Sequence, residues 1–148
     1  MQILRTDSSN IDFQNLVKLL DADLAIRNGD KHAFYDQFNK IDMIKNCIVI
    51  YIDKIPAACG AFKKFEENTV EIKRMYTNPK FRKKGLATAI VKELEIWAKE
   101  SDYKKAVLES SLKQNEALSV YEKSGYHRIP NYGQYIEIDE SVCYEKIL

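Results

Sequence analysis

Residues 74–88 read RMYTNPKFRKKGLAT, and the spacing of Arg82, Gly85 and Ala87 suits one piece of chemistry, the holding of a phosphate. A helix that starts after Gly85 leaves its first backbone N–H groups without partners and carries about half a positive charge at that end. Phosphate oxygens bind such an end when nothing bulky blocks the approach. Gly85 removes a side chain at the mouth, Ala87 is nearly as small, and Arg82, Lys83 and Lys84 supply cations around it. By itself the spacing fits a capped surface helix with solvated lysines equally well. It is neither a lysine-bearing Walker loop nor G-x-G-x-x-G.

A strand must deliver the chain to this turn, and a helix must leave it. TVEIKRMYT (69–77) alternates as a strand, with Thr69, Glu71, Lys73 and Met75 on one face and Val70, Ile72, Arg74 and Tyr76 on the other. Asn78-Pro79 ends it, because proline has no N–H for a ladder. After Gly85 the apolar positions Leu86, Ile90, Val91, Leu94, Trp97 and Ala98 fall on one side of a helix and the charges on the other.

The flanking sequence extends the plan. A short strand (2–5) precedes a helix from Ile11 that stops at Asn28-Gly29, and residues 32–42 suggest a second helix. Residues 47–53 and 55–65 read as two strands about a tight turn at Asp53-Lys54. Beyond the long helix come a compact strand (105–110), a short helix closed by Gly125, and two strands separated by the aromatic loop PNYGQY. The result is a mixed α/β (α+β) chain: a mostly antiparallel sheet flanked by helices, with one strand–helix–strand crossover that implies a parallel pair.

Bulk properties narrow the function. At 148 residues, with 45% hydrophobic and 30% charged side chains, the chain is one domain (1–148) of ordinary globular composition. A net charge of +1 gives no general preference for nucleic acid or membrane, and no apolar run approaches a membrane span. Cys47, Cys59 and Cys143 are scattered, which disfavours disulfides and zinc and points to a reducing cytoplasm. His32 and His127 are isolated, so no metal site is expected. The basic–aromatic stretches AFKKFEEN and FRKK sit among acidic neighbours and read as solvated faces rather than nucleic-acid patches.

Together, VEIKRMYTNPKFRKKGLATAIVKELEIWA and VLESSLKQNEALSVYEKSGYHRI resemble the GNAT superfamily of acetyl-CoA-dependent N-acetyltransferases. The first carries [RQ]-x-x-G-x-[GA] as Arg82, Gly85 and Ala87; the glycine common after the arginine is Lys83 here. The second matches N-x-x-A-x-x-x-Y-x-x-x-G-[FY] at Ala117, Tyr121, Gly125 and Tyr126, with Gln114 at the asparagine position and Asn115 one place later. The pair spans about residues 70–129, and the preceding elements follow the family order.

The resemblance implies the GNAT fold with one splayed strand pair, and a division of labour. The coenzyme A diphosphate would rest on amides of residues 83–88 (Lys83, Lys84, Gly85, Leu86, Ala87, Thr88) beside Arg82. The pantetheine arm would pair with main chain at Met75 and Thr77, Gln114 or Asn115 would reach it, and an N–H near Met75 or Tyr76 would polarise the acetyl carbonyl. Glu71, eleven residues before Arg82, is the implied base, with an ion-paired strand glutamate as the alternative. Tyr121 is the implied acid or anchor at the sulfur, with a half-buried aromatic whose hydroxyl bonds the backbone as the alternative.

The acceptor is expected to be a small-molecule or peptide amine, attacking directly in a ternary complex. Tyr132 and Tyr135 about Gly133 would wall its pocket or pack their loop down, and Asp30, Asp36 and Glu71 would attract its charge. Acceptor identity, acyl-chain selectivity and homodimer formation stay open. The rival readings are a non-catalytic acyl-CoA sensor and an unrelated nucleotide-binding domain.

Overall fold

The computed structural model describes residues 1–28 and 43–148. The helix expected over 32–42, together with His32, Asp30 and Asp36, lies outside the described residues. In order come β1 (Gln2–Thr6), α1 (Ile11–Asn28), β2 (Asn46–Ile52), β3 (Ile55–Glu66), β4 (Thr69–Thr77), α2 (Leu86–Glu100), β5 (Lys105–Ser111), α3 (Asn115–Lys123), β6 (His127–Ile129) and β7 (Ser141–Ile147). Two single 3-10 turns, Pro79–Phe81 and Gly133–Tyr135, precede α2 and β7.

The strands form one sheet in the order β1-β2-β3-β4-β5-β7-β6. Every neighbouring pair is antiparallel except β4–β5, the crossover pair joined through α2. Asp53 and Lys54 close the β2–β3 hairpin with φ of 49° and 67°. That is the left-handed geometry a two-residue hairpin demands, met here without glycine.

Helices cover both faces. On one, α2 buries Leu86, Ile90, Val91, Leu94 and Ala98 against Ile48, Ile50, Val70, Ile72, Ala106 and Leu108. On the other, α1 lays Phe13, Leu16, Val17 and Leu20 on Cys47, Val49, Cys59 and Ala61. Asn10 caps α1, its Oδ1 accepting from the N–H of Phe13 at 2.9 Å. Burial of these side chains at roughly 1.5–3 kcal/mol each supplies the main driving force for the fold.

One expectation fails inside β4. Ala61 pairs with Lys73 and Cys59 with Tyr76, so Gly60 alone faces both Arg74 and Met75. This is a β-bulge, and Arg74 takes φ 61° within it. The extra residue reverses the alternation: Met75 packs on the α2 side with Val70 and Ile72, while Tyr76 joins the α1 cluster. Strict period-two reading had put Met75 with Glu71 and Tyr76 with Ile72. Gly60 admits the crowding, since a Cβ there would strike Ile90 and lie 2.6 Å from the Met75 Sδ. The Cys59 thiol donates to the Arg74 carbonyl at 3.3 Å and ties the bulge to β3.

Candidate active site

The β4–β5 ladder has three pairs, Thr69–Lys105, Val70–Ala106 and Glu71–Val107, and then stops. Beyond it the strands diverge, each with main chain turned to the gap. A cleft of about 450 Å³ occupies this opening and draws its lining from both faces of the sheet. Ser110, Gln114, Ala117, Tyr121 and the start of α2 line one side, and Leu20, Asp23 and Leu24 of α1 line the other.

At the first end is the turn into α2. Asn78 caps the 3-10 turn through its Oδ1, which accepts from the N–H of Lys80 at 3.0 Å. Arg82 closes the turn, its Nε donating to the Thr77 carbonyl at 3.1 Å. Gly85 is the helix cap at φ 76°, with no side-chain cap bond, and a Cβ there would meet no protein atom within 4 Å. The first bond into the helix runs from the N–H of Ala89 to the Gly85 carbonyl at 3.0 Å. The N–H groups of Leu86, Ala87 and Thr88 therefore have no intrahelical acceptor. Lys83, where a glycine is common, takes φ 63°, so the turn needs a left-handed residue there and lysine bears the strain.

Arg82, Lys83, Gly85, Leu86, Ala87 and Thr88 all line the cleft, as do Met75, Tyr76 and Thr77. Lys84 does not: its ammonium sits 5.7 Å from the Phe81 ring centre. Of the two amides weighed from sequence, Gln114 lines the cleft and Asn115 is exposed outside it. The Gln114 Oε1 accepts from the Ser110 hydroxyl at 3.1 Å. Tyr121 is buried at the gap, its ring 6.2 Å from that of Tyr126 and 6.4 Å from that of Tyr144. Burial, and secondarily the charge of Glu109, pushes its phenol well above the usual value. The hydroxyl thus keeps its proton across the working pH range.

At the other end the cleft carries carboxylates. Glu71 is buried, with Oε2 accepting from the Tyr132 hydroxyl at 2.7 Å and Oε1 lying 3.7 Å from the Lys73 ammonium. Burial lowers the Lys73 pKa and Glu71 opposes that shift. Glu109 faces the same side, paired across the ladder with Cys143 while its neighbour Leu108 packs under the helices. Its Oε2 accepts from the Ser141 hydroxyl at 2.7 Å. Burial is the main cause that raises its pKa to about 7, with a further upward push from Glu71. Tyr135 also lines this end, whereas Tyr132 touches it only through Glu71.

Glu109 was not among the residues singled out from sequence. The signal was present in VLESS, a charged side chain in a strand that a central place in the sheet covers on both faces. Among the described residues no group of three His, Cys, Asp or Glu side chains is arranged to hold a metal, and no helix is long and apolar enough to cross a membrane.

A helix-end cradle, a splayed parallel pair and a phenol at the gap define an acyltransferase, and the comparisons agree. Residues 13–126 match the model of the acetyltransferase (GNAT) family, so the chain belongs to that family. No curated protein matches it by sequence. Among solved structures, a Klebsiella pneumoniae protein assigned to the acyl-CoA N-acyltransferases is 26% identical, with TM-score 0.82, over 99% of this chain and 97% of that one. A Streptococcus agalactiae acetyltransferase shares 20% identity and TM-score 0.73 over 99% and 98% of the two chains. A Bacillus subtilis acetyltransferase, solved with CoA, shares 16% identity and TM-score 0.68 over the same shares. The last two likenesses concern the fold.

Proposed function

We propose that the chain moves an acetyl group from acetyl-CoA to a primary amine by direct attack in a ternary complex. One observation carries this reading: a cleft runs through the sheet where β4 and β5 part, with open helix-end amides at one mouth and the carboxylates of buried Glu71 and half-buried Glu109 at the other. Bound acetyl-CoA supplies the activated acyl group as a thioester.

The amides of residues 83–88 hold the diphosphate, and Arg82 and Lys83 offset its charge. Main chain at Met75 and Thr77 pairs with the extended arm, where β5 has left β4 without a partner, and Gln114 reaches the arm from the α3 cap. A backbone N–H at the bulge, near Met75 or Tyr76, is the donor for the acyl oxygen. Tyr121 keeps a proton to give to the departing sulfur.

The amine must be neutral to attack. Glu71 is the expected base, and its own surroundings favour a different use: with Oε2 held by the Tyr132 hydroxyl and its charge offset by the nearby Lys73 ammonium, its remaining lone pairs orient the amine. Glu109, titrating at about 7, is better matched to taking the proton. Direct attack is favoured because no cysteine lines the cleft, and burial raises the thiols of Cys47 and Cys143 to about 12 and about 11. Three buried free thiols also suit the cytoplasm.

The test is a panel of amines (putrescine, spermidine, tyramine, lysine and an alanyl peptide) incubated with acetyl-CoA. Thiol release is followed, with mass spectrometry of the acetylated product. Amine-dependent release is expected. Binding of coenzyme A with no transfer to any amine would leave a sensor instead, and thermal stabilisation by ATP but not coenzyme A would reject acyl transfer.

A further inference from the structure

We propose that Tyr132 is a positioning residue for the acceptor amine: its hydroxyl, donating to Oε2 of Glu71 at 2.7 Å, fixes the carboxylate against which the amine is oriented. This rests on the acetyl-transfer reading and adds a residue that neither family motif contains.

The loop that carries Tyr132 is built to hold that hydroxyl still. The side-chain amide of Asn131 donates to three carbonyl oxygens, those of Tyr135 at 3.1 Å, Ile138 at 3.2 Å and Ser141 at 2.9 Å. One residue later the Tyr132 ring stands edge-to-face on Phe65 at 4.9 Å and on Tyr135 at 5.9 Å. Phe65 belongs to β3 and Tyr135 to the loop itself, so the phenol is braced from two elements before it reaches β4, 61 residues away in sequence.

On the other oxygen of Glu71 the Lys73 ammonium stands at 3.7 Å, beyond ordinary hydrogen-bond length. Tyr132 therefore supplies the short, directional contact and Lys73 the charge. A carboxylate on the end of a flexible chain rotates about its last bond unless one oxygen is fixed. With Oε2 fixed, the remaining lone pairs keep a constant direction, and a group misplaced by about 1 Å near the chemistry costs large factors in rate. Tyr132 is not a catalytic residue in this scheme; everything it does passes through Glu71.

The experiment is a double-mutant cycle on the full chain: wild type, Tyr132→Phe, Glu71→Ala and the double variant. It is assayed with acetyl-CoA and the best amine of the panel above. Phenylalanine keeps the ring contacts with Phe65 and Tyr135, so folding is preserved. Tyr132→Phe is expected to lower kcat/KM for the amine roughly 10- to 100-fold, the scale of one hydrogen bond to a charged group. The KM for acetyl-CoA should stay at the wild-type value. In the Glu71→Ala background the second change should have almost no further effect on kcat/KM.

Losses that multiply in the double variant would overturn the inference, because Tyr132 would then act on its own account. So would an unchanged kcat/KM in Tyr132→Phe, or an equal loss for acetyl-CoA. If wild type acetylates no amine, the parent reading fails and takes this one with it. If wild type is active and the cycle is additive, only the role of Tyr132 fails.

Discussion

Glu71 and Val107 are the last residues that pair β4 with β5. Every residue beyond them on either strand has lost a ladder partner on one side, and the cleft exists because of that loss. Main-chain groups left open in this way are stable only at a surface or against a ligand. An extended molecule with its own amides is the natural substitute for the missing strand. The functional reading stands on this geometry more than on any one side chain.

Gly85 tests the cradle. Its φ of 76° strains any residue with a Cβ, at about 1 kcal/mol, yet that Cβ would touch no protein atom. Gly85→Ala should therefore lower Tm by only a few degrees. Coenzyme A affinity should fall further, by about tenfold or more, because the added methyl occupies the approach to the helix-end amides. Calorimetric titration alongside a thermal melt separates the two effects. Equal affinity in variant and wild type would remove the diphosphate from this turn.

Tyr121 tests the acid. Tyr121→Phe keeps the ring packed between Tyr126 and Tyr144 and removes only the hydroxyl. Turnover should drop by about 10²-fold, the lower range for a positioned proton donor, with coenzyme A binding intact. Undiminished kcat would dismiss the phenol as the donor and leave approximation of the substrates as the main source of rate.

Glu109 makes opposite predictions for activity and stability. Its folded pKa of about 7 lies above the ordinary carboxylate value of about 4.5. The unfolded chain therefore ionises first, so the group's contribution to stability is intact below pH 4.5 and is lost as pH rises through 7. The loss amounts to about 3 kcal/mol at pH 8. Glu109→Gln can still accept the Ser141 hydrogen bond and carries no such penalty. Its Tm should exceed that of wild type by several degrees at pH 8 and match it near pH 4.5. In wild type, kcat/KM should rise along a limb centred near pH 7, and the variant should lack that limb. A wild-type profile without it would assign the proton transfer elsewhere.

Local elements of the site are legible in the sequence, and tertiary ones are not. The strand–turn–helix at Pro79 to Leu86 is local: proline stops a ladder, glycine takes a left-handed φ, and Leu86, Ile90, Val91 and Leu94 repeat at helical spacing. The parallel crossover follows from connection length. The bulge at Arg74 left no such mark, because neither arginine nor methionine prefers its geometry, so the faces of Met75 and Tyr76 came out exchanged. Glu109 was hidden for another reason. Its environment comes from Ser141 and Tyr135, 32 and 26 positions further along the chain, and from a sheet order that inserts β7 between β5 and β6. Burial by distant elements is a tertiary fact, and alternation along one strand does not encode it.

Lys146 carries the last prediction, which concerns the scaffold behind Tyr121. Its ammonium meets Oε1 of Glu95 on α2 at 2.9 Å and the Ser124 carbonyl at the end of α3 at 2.8 Å, and it lies 5.7 Å from the Tyr126 ring centre. One side chain of β7 thus ties both helices of this face together and caps the C-terminus of α3, where a cation is favoured. Lys146→Met keeps most of the aliphatic stem but leaves Glu95, whose side chain is only 13% exposed, without its cation. Stability should fall by about 2–3 kcal/mol, visible as a Tm drop of several degrees. Tyr121 lies in the last turn of α3, three residues before Ser124, so loosening that end displaces it and kcat should fall, while the helix-end amides of α2, at the far end of that helix from Glu95, keep their affinity for coenzyme A. Salt offers an internal check: a partly buried pair is weakly screened, so the difference in Tm should persist at high ionic strength. A difference that vanished in 1 M salt would mark the contact as a surface pair of little consequence.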